Sequence, residues 1–222
     1  MTKSKKRATN RDFYLLEEFD PDLSKGKYQM PSLQREIFVP SRLIDFTTAI
    51  HSRNFSSGIH FYLDDYRFER IWREPYRYIP ILRRFACVFT PDFSLYTDMP
   101  MAMKIWNVYR SRLIGQMMQH AGIRIIPTVS WAGPETFEFC FDGIEEGCTV
   151  TIATVGTMRN PEAQELFYSG MSAMIETVHP STIIFYGTAP KKFPEGIPYV
   201  HFESTSFSWQ KSKSDVTYKE IL

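Results

Sequence analysis

Short apolar runs recur along this chain, and helical stretches separate them. The runs are Ile59–Leu63, Ala86–Thr90, Ile123–Val129, Thr149–Val155 and Thr182–Tyr186, with a sixth at Tyr199–Phe202. Each is rich in Ile, Val, Thr or aromatic residues. Most end at Gly, Pro, Asp or Ser, the punctuation of strands buried on both faces. Strand–helix–strand alternation requires right-handed crossovers and so a mainly parallel sheet. The expected class is α/β, with five to seven strands and flanking helices. An open sheet and an incomplete β/α barrel both fit this rhythm.

The helices have their own signals. Asp98 is placed to cap a helix with Pro100 in its first turn, running to Gln119 and stopped by Gly122. Trp106, Tyr109, Leu113 and Met117 trace its inner face. Asn160 caps a second helix, with Pro161 at its first position and His179-Pro180 at its end. Pro75 divides Tyr66–Trp72 from Pro75–Phe85. Leu43, Ile44, Phe46 and Ile50 have helical spacing after Pro40-Ser41, and Arg35–Val39 reads as a short strand. Phe137–Phe141 followed by Asp142-Gly143 breaks the rhythm and reads as a hairpin leading into Thr149. Residues 1–34 are expected to be a basic arm that wraps the domain or is partly disordered. Residues 35–208 form a single α/β domain, and residues 209–222 a polar tail. At 222 residues the chain is long enough for one core without staples.

The net charge of +1 conceals an imbalance. Residues 1–11 carry Lys3, Lys5, Lys6, Arg7 and Arg11 and no acid, so the remainder is mildly acidic. Such an arm contacts nucleic acid or simply solubilises the chain. Cys87, Cys140 and Cys148 have no C-x-x-C spacing, so neither a disulfide framework nor a zinc site follows. Cys140 and Cys148 flank a turn, which leaves a bridge between them open. No apolar segment follows the basic start and no run reaches the length of a membrane span. The expectation is a cytoplasmic, reduced protein that does not enter a membrane.

In parallel α/β folds ligands bind beyond the carboxyl ends of the strands. That rule selects Asp64, Asp65, Asp92, Ser94, Ser130, Trp131, Thr154, Thr157 and Tyr186. The three aspartates are candidate catalytic groups, as an acid–base set or as oxygen ligands for Mg²⁺. The competing roles are helix caps and turns. Ser94, Arg110, Arg112, Trp131, Thr157 and Tyr186 are candidate ligand contacts. Between Tyr66 and Arg84, arginines including Arg70, Arg73 and Arg77 alternate with aromatics, a composition that pairs phosphates and stacks bases. Glu69 and Glu74 equally support a salt-bridged helix face. Lys5, Lys6 and Arg7 join these arginines as candidate nucleic-acid contacts. The five histidines lack metal-ligand spacing, and no dinucleotide, P-loop, zincin or serine-hydrolase motif is present.

Five segments together resemble a family. They are Phe61-Tyr-Leu-Asp-Asp-Tyr-Arg-Phe-Glu-Arg, Pro91-Asp-Phe-Ser-Leu-Tyr-Thr-Asp-Met-Pro, Asn107-Val-Tyr-Arg-Ser-Arg, Ile126-Pro-Thr-Val-Ser-Trp and Thr154-Val-Gly-Thr. This set, spread over roughly residues 40–190, resembles the bacterial and phage family known as domain of unknown function 4417. The resemblance implies a prokaryotic or mobile-element setting and carries no activity, cofactor or catalytic residue with it. Three readings follow: a protein that binds nucleic acid or a phosphate-containing ligand, a metal-assisted phosphoester hydrolase built on Asp64, Asp65 and Asp92, and an interaction module without catalysis.

Overall fold

The computed structural model describes residues 9–204 and the backbone of residues 217–219. After a single-turn helix α1 (Asn10–Phe13), two short antiparallel strands, β1 (Ser24–Lys25) and β2 (Met30–Pro31), lie against the long central helix α6 (Met101–His120). Then comes the alternation: β3 (Leu43–Asp45), α2 (Phe46–Ala49), β4 (Gly58–His60), α3 (Asp65–Phe68), α4 (Arg70–Arg73), α5 (Pro75–Leu82) and β5 (Cys87–Phe89) precede α6. β6 (Ile125–Ile126), α7 (Phe137–Cys140), β7 (Thr149–Ala153), α8 (Pro161–Val178), β8 (Thr182–Tyr186), β9 (Tyr199–Phe202) and β10 (Thr217–Lys219) follow it.

The protein is α/β with parallel strands and flanking helices. The strands divide into two four-stranded sheets, β3-β4-β5-β6 and β7-β8-β9-β10, rather than forming one ladder. All neighbours are parallel except β10, which returns antiparallel to β9 and brings part of the expected polar tail into the sheet. Pro127 lacks an N–H and follows β6 directly, so the regular ladder stops there. One bridge, Thr128 to Thr151, joins the sheets. Val129 N–H donates to Thr151 O at 2.9 Å and Thr151 N–H to Pro127 O at 2.9 Å.

Side chains alternate across both sheets as a two-residue period demands. Ile59, Val88 and Ile125 point outward to a core shared with α2–α6, while Val150, Ile152, Ile183 and Phe185 point outward toward α7 and α8. Cys87, Phe89, Ile126, Ile184, Tyr186, Val200 and Phe202, drawn from both sheets, form a single inner cluster. The strands are therefore covered on both faces, which is why they read as near-continuous apolar runs.

Several local expectations change. The segment from Leu43 starts as strand, not helix, because Asp45 accepts hydrogen bonds from Thr47 N–H and Thr48 N–H and the helix begins only after it. Residues 35–39 join no ladder, although Thr149 N–H reaches Glu36 O. Phe137–Phe141 is helical, not a hairpin: a 3-10 turn (Pro134–Thr136) runs into α7. Phe-x-Phe-x-Phe suits a strand by its two-residue period, but Phe137 and Phe141 also meet at helical i,i+4 spacing, 5.6 Å apart. α6 starts at Met101 with Pro100 at its N-cap, and no side-chain bond from Asp98 caps it. α8 is capped as its sequence indicates, Asn160 Oδ1 accepting from Ala163 N–H at 2.8 Å. The three cysteines are free and buried, their thiols pushed up to about 12 by burial. Among the described residues no helix is long and apolar enough to cross a membrane.

Candidate functional site

At the carboxyl ends of β5, β6 and β7 the chain leaves a cavity of about 450 Å³. Asp92 and the loop Leu95–Asp98 follow β5, Val129–Ala132 follow β6, Gly156 and Thr157 follow β7, and Ala163, Leu166 and Phe167 come from the first turns of α8. It lies where parallel topology gathers strand ends.

The loop after β5 is held from two sides. From α6, the 4%-exposed Lys104 Nζ donates to Thr97 O at 3.0 Å and pairs with Glu135 at 3.1 Å. Asn107 Nδ2 donates to Ser94 O at 2.7 Å, and the Arg110 guanidinium stacks 3.8 Å over Phe93. From α3, Asp65 accepts from Ser94 N–H and, at 2.7 Å, from Ser94 Oγ–H. The half-buried Asp92 is thereby fixed in the cavity wall near Asp65. Burial first, and then the Asp65 charge, push the Asp92 carboxyl up to about 7, against a hydrogen bond from Ser130 that lowers it. Beneath lies Tyr62, whose hydroxyl is 2.7 Å from Thr151 Oγ1 and whose phenol burial raises well above its usual range.

The opposite wall is Trp131. Its Nε1–H donates to Leu166 O at 3.1 Å, which ties the indole to α8. Gly170 makes this possible: a Cβ there would overlap the Trp131 ring nitrogen. Thr157 also lines the cavity, its hydroxyl donating to Thr154 O at 3.0 Å.

Asp92, Trp131 and Thr157 thus meet at one cavity, with Asp65 and Ser94 directly behind. Other candidates stand elsewhere. Asp64 is exposed at the entrance of α3 without a capping bond. Tyr186 is buried, stacked on Tyr62 with ring centroids 4.7 Å apart and tilted against His60 at 4.4 Å. Arg110 is committed to Glu69 at 2.8 Å and Asn107 Oδ1 at 2.7 Å. Arg112 is 2% exposed and donates to the carbonyls of Asp142, Thr128 and Cys140, so it braces the sheet junction rather than facing a ligand. Arg70 lies over Phe46 and Tyr78, Arg73 pairs with Glu69 at 3.8 Å, and Arg77 with Glu74 at 3.0 Å. Lys5, Lys6 and Arg7 lie outside the described residues. Among the described residues no three His, Cys, Asp or Glu side chains are grouped to hold a metal ion, so Asp64, Asp65 and Asp92 do not form the trio that the metal-assisted reading needs.

Sequence reasoning missed Lys104 as an anchor and the contribution of α8. The signal for the first was present: Lys104, Asn107 and Arg110 recur every third residue and so share one edge of α6.

Comparison with known proteins places this chain in a family. The profile described as domain of unknown function (DUF4417) matches residues 23–203. The chain belongs to this family. The DUF4417 match contains every residue of the cavity wall. The chain is also similar to the Gene 1 protein of Mycobacterium phage D29, 41% identical over 168 residues that cover 74% of this chain and 62% of that protein. It is 42% identical to the Gene 1 protein of Mycobacterium phage L5, over 74% of this chain and 73% of that one. The chain thus spans less than two thirds of the D29 relative. No solved structure matches the chain.

Proposed function

We propose that this phage-related DUF4417 protein binds a small molecule at the carboxyl ends of its strands and that Asp92 exchanges a proton with it. The observation that carries the reading is Asp92 in the wall of a 450 Å³ cavity, backed by Asp65. Two nearby carboxyls resist simultaneous ionisation, and a carboxyl that titrates near neutrality both gives and takes a proton at working pH. The cavity falls in the size range of small-molecule sites. The seven parallel strands act as one curled β/α layer in this reading, with the site at its mouth.

The phosphate and nucleic-acid readings draw less support. Among the described residues no Lys, Arg or His lines the cavity, and Arg73 and Arg77 are engaged with neighbouring glutamates. Carbon-13 carboxyl titration by NMR tests the proposal. Asp92 is expected to titrate near 7 in the wild type and clearly lower in Asp65→Asn. An Asp92 that titrates in the ordinary carboxylate range in both proteins overturns the acid–base role.

A further inference from the structure

We infer that the ligand of this cavity is an organic cation, a protonated amine or guanidinium carried on an apolar or aromatic body. The inference rests on the reading of the cavity as a small-molecule site and adds the chemical class.

Charge comes first. Among the described residues the lining contains Asp92 and Asp98 and no basic side chain, with Asp65 behind Asp92. The two cations that α6 turns toward the loop after β5 are already committed. Lys104 holds Thr97 O and Glu135, and Arg110 holds Glu69 and Asn107. The start of α8 offers an anion little, because Asn160 caps Ala163 N–H and Glu162 sits in the first turn. Tyr62 and Ser130 complete the groups around Asp92, and Arg159 stands exposed on the loop before α8. An anion entering here meets carboxylates with no counter-charge. A cation supplies what two neighbouring carboxyls lack.

Shape comes second. Trp131 is fixed by its bond to Leu166 O and its seat on Gly170, and Tyr96 and Phe167 also line the cavity. A rigid indole beside carboxylates is the combination that recognises organic cations, through the ring quadrupole and apolar contact together. Binding beside Asp92 displaces its proton to solvent, since the cation favours the carboxylate. The balance is one cation bound and up to one proton released, with no covalent change.

Calorimetry with three ring compounds of one size tests this: benzylammonium, its neutral counterpart benzyl alcohol, and anionic benzoate, with inorganic phosphate as a fourth probe. At about pH 8, benzylammonium is expected to bind at least tenfold more tightly than the others. Its affinity is expected to fall severalfold at about pH 5.5, where Asp92 holds its proton. Asp92→Asn, checked for fold by circular dichroism, is expected to remove the preference for the cation, and Trp131→Leu to weaken binding in a folded protein. Equal or tighter binding of benzyl alcohol, benzoate or phosphate overturns the inference, as does no benzylammonium heat at about 10 mM. The two proposals fail separately. A normal Asp92 titration with intact cation preference removes only the acid–base role, while titration near 7 without cation preference removes only the ligand class.

Discussion

Burial raises the Asp92 carboxyl to about 7 and lowers the His60 imidazole to about 4, and the two shifts oppose each other in stability. The folded protein keeps a proton on Asp92 that the unfolded chain has released. This contribution is fully present below the ordinary carboxylate pKa and is lost as pH rises towards 7. The unfolded chain instead takes up a proton that buried His60 refuses, so that contribution is lost as pH falls from about 6.5 to 4. Asp92→Asn keeps the neutral form and removes the first effect. Urea unfolding across this range should show the variant gaining on the wild type as pH rises, by about 1 kcal/mol or more at pH 8. A difference independent of pH would remove the perturbed carboxyl. Arg112 is a second test at this scale. Arg112→Met leaves the carbonyls of Asp142, Thr128 and Cys140 without this donor, and should cost about 3 kcal/mol or more in denaturant unfolding.

α6 shows how an element serves both core and site. Leu113 is fully buried among the outward side chains of the first sheet and its helices. Leu113→Ala should cost about 2–5 kcal/mol by the same measurement. Trp106, expected against the sheet, is only half-buried and meets Trp72, Tyr109 and Tyr14 on the outer side. The helical period placed Trp106 and Leu113 on one face, but α6 is enclosed through most of its length. Its buried polar residues serve as anchors: Gln116 Nε2 donates to both Leu23 O and Ser32 O. On α8, Gly170→Ala forces Trp131 to move, since the added Cβ lands on the indole. Small-to-large insertion at such a contact costs roughly 1–3 kcal/mol. A shift of tryptophan emission together with weaker benzylammonium binding is the expected result. Unchanged emission and binding would show that the indole is not held there.

At the scale of the molecule, residues 9–34 pack against the rest of the chain. Leu15, Met30 and Leu33 are buried, and Gln119 exchanges backbone bonds with Gln34. α1 buries nothing. Deletion of residues 1–11 should therefore shift the melting temperature by less than about 2 °C. Deletion of residues 1–34 removes the buried side chains of Leu15, Met30 and Leu33, each worth about 1.5–3 kcal/mol, and should leave the rest of the chain unfolded or nearly so. A stable, cooperatively melting product of the longer deletion would make this segment a true appendage.

The alternation of apolar runs determined the α/β class, the parallel direction and the ends of β8, β9 and α8, because two-sided burial and helix caps act within a few residues of sequence. It also indicated where a cavity would open, since strand ends in a parallel layer gather on one side, and Asp92, Trp131 and Thr157 line the cavity there. Tertiary structure alone decided the rest. The break between the sheets depends on where Pro127 falls against β7, and the roles of Arg110 and Arg112 depend on which carbonyls and carboxylates come within reach. A sequence states that Asp65 and Asp92 are acids. Only the fold brings them together and partly buries Asp92, and that proximity and burial raise the Asp92 proton affinity on which the proposed chemistry rests.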